Sequence, residues 1–140
     1  SEGAQLLSGG NRLTAAPYEK GFFVEPTVFG GVTPDMKIAQ EEIFGPVLAI
    51  IAVDDFDQAL QVANANRFGL SAAICTRDIS RALEFVDRIE AGLVHVNSPT
   101  VGAEVQVPFG GMKDSSTGTR EQGRVAVDFY TQTKTVYLEY

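Results

Sequence analysis

Cysteine occurs once in the 140 residues, histidine once and tryptophan not at all. A single thiol excludes an internal disulfide framework and a cysteine-rich zinc site. No apolar stretch approaches the roughly 20 residues that a membrane-spanning helix needs. Basic residues are scarce, 11 Lys plus Arg against 18 Asp plus Glu, for a net charge of −7. That balance repels phosphate backbones and anionic headgroups, so neither nucleic acid nor a membrane is expected as a partner. Glycine is plentiful, yet Gly102, Gly110, Gly111 and Gly118 form neither G-x-G-x-x-G nor a phosphate loop of the G-x-x-x-x-G-K-[ST] type. No His/Asp/Glu group has metal-ligand spacing, and no metal is expected. What is present is an ordinary 44% of hydrophobic residues, enough for one domain-sized core and short for a two-domain cofactor enzyme. The chain shows no leader pattern. Its opening, Ser1-Glu-Gly-Ala, reads as the tail of an earlier element, so a piece of a larger protein is expected.

The first third is loop-rich. An apolar run at residues 4–8 stops at Gly9 and Gly10. Residues 11–20 read as an exposed connection, and residues 22–24 as an extended segment leading to Pro26. From Val47 the pattern alternates. Residues 47–53 are continuously apolar, as a strand covered on both faces should be. Asp54 or Asp55 caps a helix with Phe56, Ala59, Leu60 and Ala63 on one face, ending near Arg67. Residues 70–75 form the next apolar run. Thr76 or Asp78 caps a second helix with Ile79, Leu83, Val86 and Ile89 on one face and Gly92 as its terminating glycine. Residues 93–96 make a third strand.

Strand, helix, strand, helix, strand predicts an α/β fold built as a parallel strand-helix-strand layer. The Gly/Pro/Ser-rich stretch over residues 97–118 is long enough to be functional. A third helix is expected over residues 120–130. Residues 133–140 alternate polar with apolar, predicting a half-buried C-terminal edge strand open to pairing with another chain.

Candidate chemistry is sparse. Cys75 sits in an apolar run and reads as a small buried hydrophobe; His95, on the third strand, reads as structural. A thiol hydrolase drawing Cys75, His95 and Asn97 together is the competing assignment. Residues 40–47 place Glu41, Glu42 and Phe44 directly before a strand. One reading is a helix end, a Gly-Pro turn and a core phenylalanine. The other is a carboxylate that accepts two hydroxyl hydrogen bonds, as ribose demands, with a ring beside a flat heterocycle. In residues 107–113, Gly110 and Gly111 either make a tight turn or let backbone approach a ligand walled by Phe109.

These residues also carry a resemblance. Glu41-Glu-Ile-Phe-Gly-Pro-Val47 resembles the cofactor-side motif of NAD(P)-dependent aldehyde dehydrogenases. Phe22-Phe-Val-Glu-Pro-Thr-Val-Phe29, Phe68-Gly-Leu-Ser71, Gly92-Leu-Val-His-Val-Asn97, Pro108-Phe-Gly-Gly-Met-Lys113 and Thr133-Lys-Thr-Val136 follow in that family's order. Residues 96–106 are similar to members acting on sugar-acid semialdehydes such as 2,5-dioxopentanoate. The resemblance implies a C-terminal fragment of the family's chain: residues 1–131 as part of the catalytic domain and residues 132–140 as an oligomerisation strand. It implies a cytoplasmic homo-oligomer that oxidises a small-molecule aldehyde with NAD or NADP. The nucleophile, general base and nucleotide-binding domain are implied to lie upstream, so no catalytic residue is assigned here. Cofactor binding falls to Glu42 and Phe44, and substrate binding to Phe109, Thr100 and Val101; Glu41 is expected to be structural. The chain departs from the family pattern at residues 115–121, Ser-Ser-Thr-Gly-Thr-Arg-Glu, where Ser-Gly-x-Gly-Arg-Glu is usual.

Overall fold

The computed structural model describes residues 2–102 and 104–140. The chain forms two compact units, residues 1–66 and residues 67–140.

In the first unit, β1 (Gln5–Ser8) pairs antiparallel with β4 (Thr27–Gly30), with Leu6 opposite Phe29. Between them, β2 (Arg12–Leu13) and β3 (Phe23–Val24) form a small antiparallel ladder. Thr27 is buried and its hydroxyl is satisfied twice, donating to the Glu25 carbonyl and accepting from Gly10 N–H. The chain then passes through the single turn of α1 (Lys37–Gln40) into β5 (Val47–Ala49), which lies parallel to β4 with Thr27 opposite Val47. The resulting sheet has the order β1-β4-β5.

β5 is shorter than the seven-residue apolar run, and Leu48 is exposed, so coverage on both faces is not observed. Apolar continuity reports what a strand can bury; a covering layer has to be supplied by other chain. α2 (Phe56–Asn64) follows, capped by Asp55, whose Oδ1 accepts from Gln58 N at 2.8 Å. Leu60 is its buried anchor. The helix ends at Asn64, short of Arg67; Ala65 N–H closes the last turn onto the Gln61 and Val62 carbonyls.

The second unit is built on β7 (Ser71–Ile74), α3 (Ile79–Arg88) and β8 (Leu93–Val96), a parallel strand-helix-strand unit with Ala73 opposite His95. β6 (Phe68–Gly69) precedes it and pairs antiparallel with β9 (Met112–Lys113); α4 (Ala126–Tyr130) comes late. The mixed α/β class with parallel strands is therefore as expected. The ladders differ in detail, because β5 takes β4 as its partner while β7 takes β8.

Asp78 caps α3, its Oδ1 accepting from Ser80 and Arg81 N–H, while Thr76 supports Asp78 through a hydrogen bond from Asp78 N–H to its Oγ1. The buried face is Ala82, Phe85 and Ile89, whereas Ile79, Leu83 and Val86 are exposed. Of the expected face only Ile89 is buried; the inward positions at Ala82 and Phe85 were not picked out by the sequence pattern. Gly92 does not terminate the helix either, since α3 closes at Ile89 in an extended conformation. Gly92 is needed for a different reason: a β-carbon there would lie 1.9 Å from the Gly110 carbonyl oxygen.

The third helix is confined to Ala126–Tyr130. Gly123 interrupts the longer helix; its φ is +64° and its N–H donates to Val105 O, so its backbone is engaged elsewhere. Residues 131–140 are exposed throughout and carry no ladder, which corrects the half-buried edge strand. Period-two alternation makes a strand only where a second backbone provides hydrogen bonds.

Candidate functional site

Glu42 and Phe44 emerge from a turn pinned at both ends. Upstream, Glu2 Oε2 accepts from Lys37 N–H at 2.7 Å at the start of α1, and Glu41 N–H closes the turn onto the Lys37 carbonyl at 2.9 Å. Asp35, just before this turn, is held below the ordinary carboxylate value, first by the Thr33 hydroxyl at 2.5 Å and then by its own backbone N–H. Downstream, Val47 N–H reaches Gly45 O and Thr27 N–H reaches Pro46 O at 2.8 Å. Glu41 leaves α1 in an extended conformation, which places Glu42 at the lip of a cleft of about 480 Å³ lined by Glu2, Lys37, Ile38, Glu41, Glu42 and Ile43.

Within that cleft the two carboxylates differ. Glu41 pairs with Lys37 at 3.5 Å, an exposed contact of the kind worth little to stability. Glu42 is exposed and its carboxylate has no hydrogen bond or ion pair among the described residues. Phe44 is 93% exposed and has φ of +53°. An aromatic residue held in the left-handed region with its ring in solvent is costly on both counts, and Phe44 is not part of the core formed by the described residues. A carboxylate with both oxygens free to accept from a pair of hydroxyls, two residues from an unstacked ring, is a pairing that suits a ribose joined to a flat heterocycle.

Phe109 belongs to a second cleft, of about 230 Å³, within residues 67–140. Its walls are Leu70, Phe109 and Phe129, and its polar lining comes from Ser115, Ser116, Thr117, Thr119 and Glu121. The Phe109 carbonyl accepts from Glu121 N–H at 3.0 Å, which fixes the start of the Gly110-Gly111 ribbon. Thr100 and Val101 are exposed and are not part of this lining.

Among the described residues no hydrogen bond joins Cys75, His95 and Asn97 as a thiol hydrolase would require. Cys75 is exposed, which also corrects its reading as a buried hydrophobe: it lies one residue beyond β7, past the paired part of the strand. Asn97 is engaged elsewhere, its Oδ1 accepting from Thr76 N–H at 2.8 Å and its Nδ2 donating to Thr76 O at 2.9 Å. Those two hydrogen bonds hold the Asn97 amide against the Thr76 backbone, and none among the described residues joins it to His95. Among the described residues no group of three His, Cys, Asp or Glu could hold a metal ion, and no helix is long and apolar enough to cross a membrane.

Sequence reasoning missed the roles of Lys37 and Phe129, which carry no motif of their own, and of Leu70, which it placed in a motif without giving it a part in a site. The hydroxyl-rich lining did leave a signal, because it coincides with residues 115–121, where the chain departs from the family pattern.

Comparison with known proteins follows from this geometry. The model of the aldehyde dehydrogenase family matches residues 1–136. The chain is 54% identical over 138 residues to alpha-ketoglutaric semialdehyde dehydrogenase of Bacillus subtilis, covering 99% of this chain and 28% of that protein. It is 57% identical over 141 residues to alpha-ketoglutarate semialdehyde dehydrogenase of Haloferax volcanii, covering 100% of this chain and 29% of that protein. Among solved structures, an aldehyde dehydrogenase of Mycobacterium tuberculosis complexed with NAD+ superposes with a TM-score of 0.87 at 40% identity, covering 99% of this chain and 28% of that one. The chain thus spans under a third of the length of the relatives it matches.

Proposed function

This chain belongs to the aldehyde dehydrogenase family, and from that premise we propose that it is the C-terminal part of such an enzyme's catalytic domain, with residues 132–140 as an oligomerisation strand. The whole enzyme is a cytoplasmic homo-oligomer that oxidises an aldehyde to a carboxylic acid through a thioester on a cysteine in the preceding polypeptide. The observation that carries this reading is the turn at residues 41–47, where the Glu42 carboxylate lines a cleft and the solvent-exposed Phe44 ring follows two residues later.

In this reading Glu42 accepts hydrogen bonds from the ribose hydroxyls next to the nicotinamide, and Phe44 flanks the nicotinamide ring. NAD or NADP, when bound, takes up the hydride released as the aldehyde carbon is oxidised. Glu42 and Phe44 contribute position: small errors in the placement of reacting groups cost large factors in rate. Phe109 lines the approach of the aldehyde, with Thr100 and Val101 on the loop at its entrance. The substrate class is an oxo-acid semialdehyde of the 2,5-dioxopentanoate type, supported by the substrates that the two semialdehyde dehydrogenase relatives are named for.

The test is a turnover assay with 2,5-dioxopentanoate and NAD+ or NADP+ on the full-length protein and on the 140-residue chain. Full-length protein is expected to reduce the cofactor and the isolated chain is not. Turnover by the isolated chain that disappears in Cys75→Ala would overturn the assignment of the nucleophile.

A further inference from the structure

The turn at residues 113–115 is fastened at three consecutive residues. Lys113 Nζ lies 2.7 Å from Glu90 Oε2. Asp114 Oδ2 lies 2.8 Å from Arg67 Nε, and Asp114 N–H also reaches the Arg67 carbonyl at 3.1 Å. Ser115 Oγ accepts from Gly69 N–H at 3.1 Å. Lys113 has φ of +52°, a conformation that a residue with a β-carbon keeps only where its surroundings impose it.

The two ion pairs are not equivalent. Arg67 and Asp114 have side chains 65% and 55% exposed, so solvent and salt screen their attraction. Lys113 is 23% exposed against 57% for Glu90, so this pair is shielded on its lysine side only; its carboxylate lies on the connection between α3 and β8. The same connection holds Gly92, against which the Gly110 carbonyl is packed too closely for any β-carbon. One backbone segment, residues 90–92, therefore receives the Phe109–Lys113 ribbon at two points, by ion pairing at Lys113 and by direct backbone contact at Gly110.

We propose that the Lys113–Glu90 pair is a positioning latch that sets the Phe109 wall and so selects among aldehydes by the length of their tail. The proposal rests on the reading that the Phe109 cleft takes the aldehyde. Neither Lys113 nor Glu90 lines the cleft; both act through the ribbon that presents Phe109.

The test uses the full-length protein with Lys113→Met, Glu90→Gln, the double variant and Lys113→Arg. KM and kcat are measured for 2,5-dioxopentanoate and for acetaldehyde, alongside KM for the cofactor and the thermal midpoint. With misplacement of about 1 Å able to cost on the order of 100-fold, the Met and Gln variants are expected to raise KM for the longer aldehyde about tenfold relative to the shorter. kcat and cofactor KM stay within about twofold, the double variant is no worse than either single one, and Lys113→Arg restores the ratio. An unchanged KM ratio overturns the latch. So does a proportional fall of every parameter together with the thermal midpoint, which would make the pair merely structural.

A readout independent of turnover is the fluorine resonance of fluorophenylalanine at position 109, assigned by its loss in Phe109→Leu. It should shift in Lys113→Met and return in Lys113→Arg. A resonance that does not move also overturns the latch. Wild-type protein that turns over neither aldehyde overturns the dehydrogenase reading, and the fluorine result still decides the positioning role.

Discussion

Glu42 shows how a residue's environment sharpens what its neighbours in the chain leave open. From the sequence, two readings of residues 40–47 stood level; the exposed ring at Phe44 with its left-handed backbone shows that it is not packed into the core of the described residues. Glu42→Gln keeps the shape and one carbonyl oxygen but loses the charge that strengthens hydrogen bonds from ribose hydroxyls. In the full-length protein this substitution is expected to raise cofactor KM or slow hydride transfer by about tenfold, the equivalent of about 1.4 kcal/mol. Steady-state kinetics at saturating aldehyde measures it, and wild-type values would remove the ribose role. Asn97 makes the opposite point. Its amide looked available for catalysis in the sequence, yet both ends of it bind the Thr76 backbone.

At the scale of elements, α3 was legible as a helix, with its N-cap among the two residues named for it, but its inward face was not. The expected face of Ile79, Leu83, Val86 and Ile89 is buried only at Ile89, which packs with Ala82 and Phe85; apolar residues lie on both sides of the helix, so periodicity cannot rank them. Burial ranks them, with Phe85 7% exposed and Leu83 62% exposed. Phe85→Ala is accordingly expected to cost about 3 kcal/mol of stability, in the range for truncating a core aromatic residue. Leu83→Ala, on the outer stripe, should change it by less than about 0.5 kcal/mol. Denaturant unfolding of both variants decides which face is the core, and equal losses would contradict the packing. The short β-ladders were legible for β7 and β8, whose apolar runs flank a helix; the partner of β5 was not, because strand pairing is a long-range choice that local composition does not encode.

At the scale of the whole molecule, the described residues place large apolar side chains in solvent at Phe22, Phe44, Leu48, Tyr137 and Leu138, and only seven hydrophobic residues are buried as a core. Exposed apolar surface of this kind calls for a covering partner. Residues 132–140 pair with nothing within the chain and alternate in the manner of a strand awaiting a ladder. Removing them from the full-length protein is expected to lower the oligomeric state, read by size exclusion with light scattering. An assembly of unchanged mass would argue against the strand as the interface.

The sequence by itself determined the family, the strand-helix-strand unit β7-α3-β8 and the residue types at the turn over residues 41–47, because ordered motifs, caps and apolar periodicity are local properties. Tertiary structure alone decided which stripe of α3 faces inward, that Asn97 is spent on the Thr76 backbone, that Phe44 stands in solvent and that Phe109 shares a cleft with Phe129 and a hydroxyl-lined loop. Each of these depends on which distant segment comes to lie alongside, and that is settled by packing and hydrogen bonding across many residues of separation.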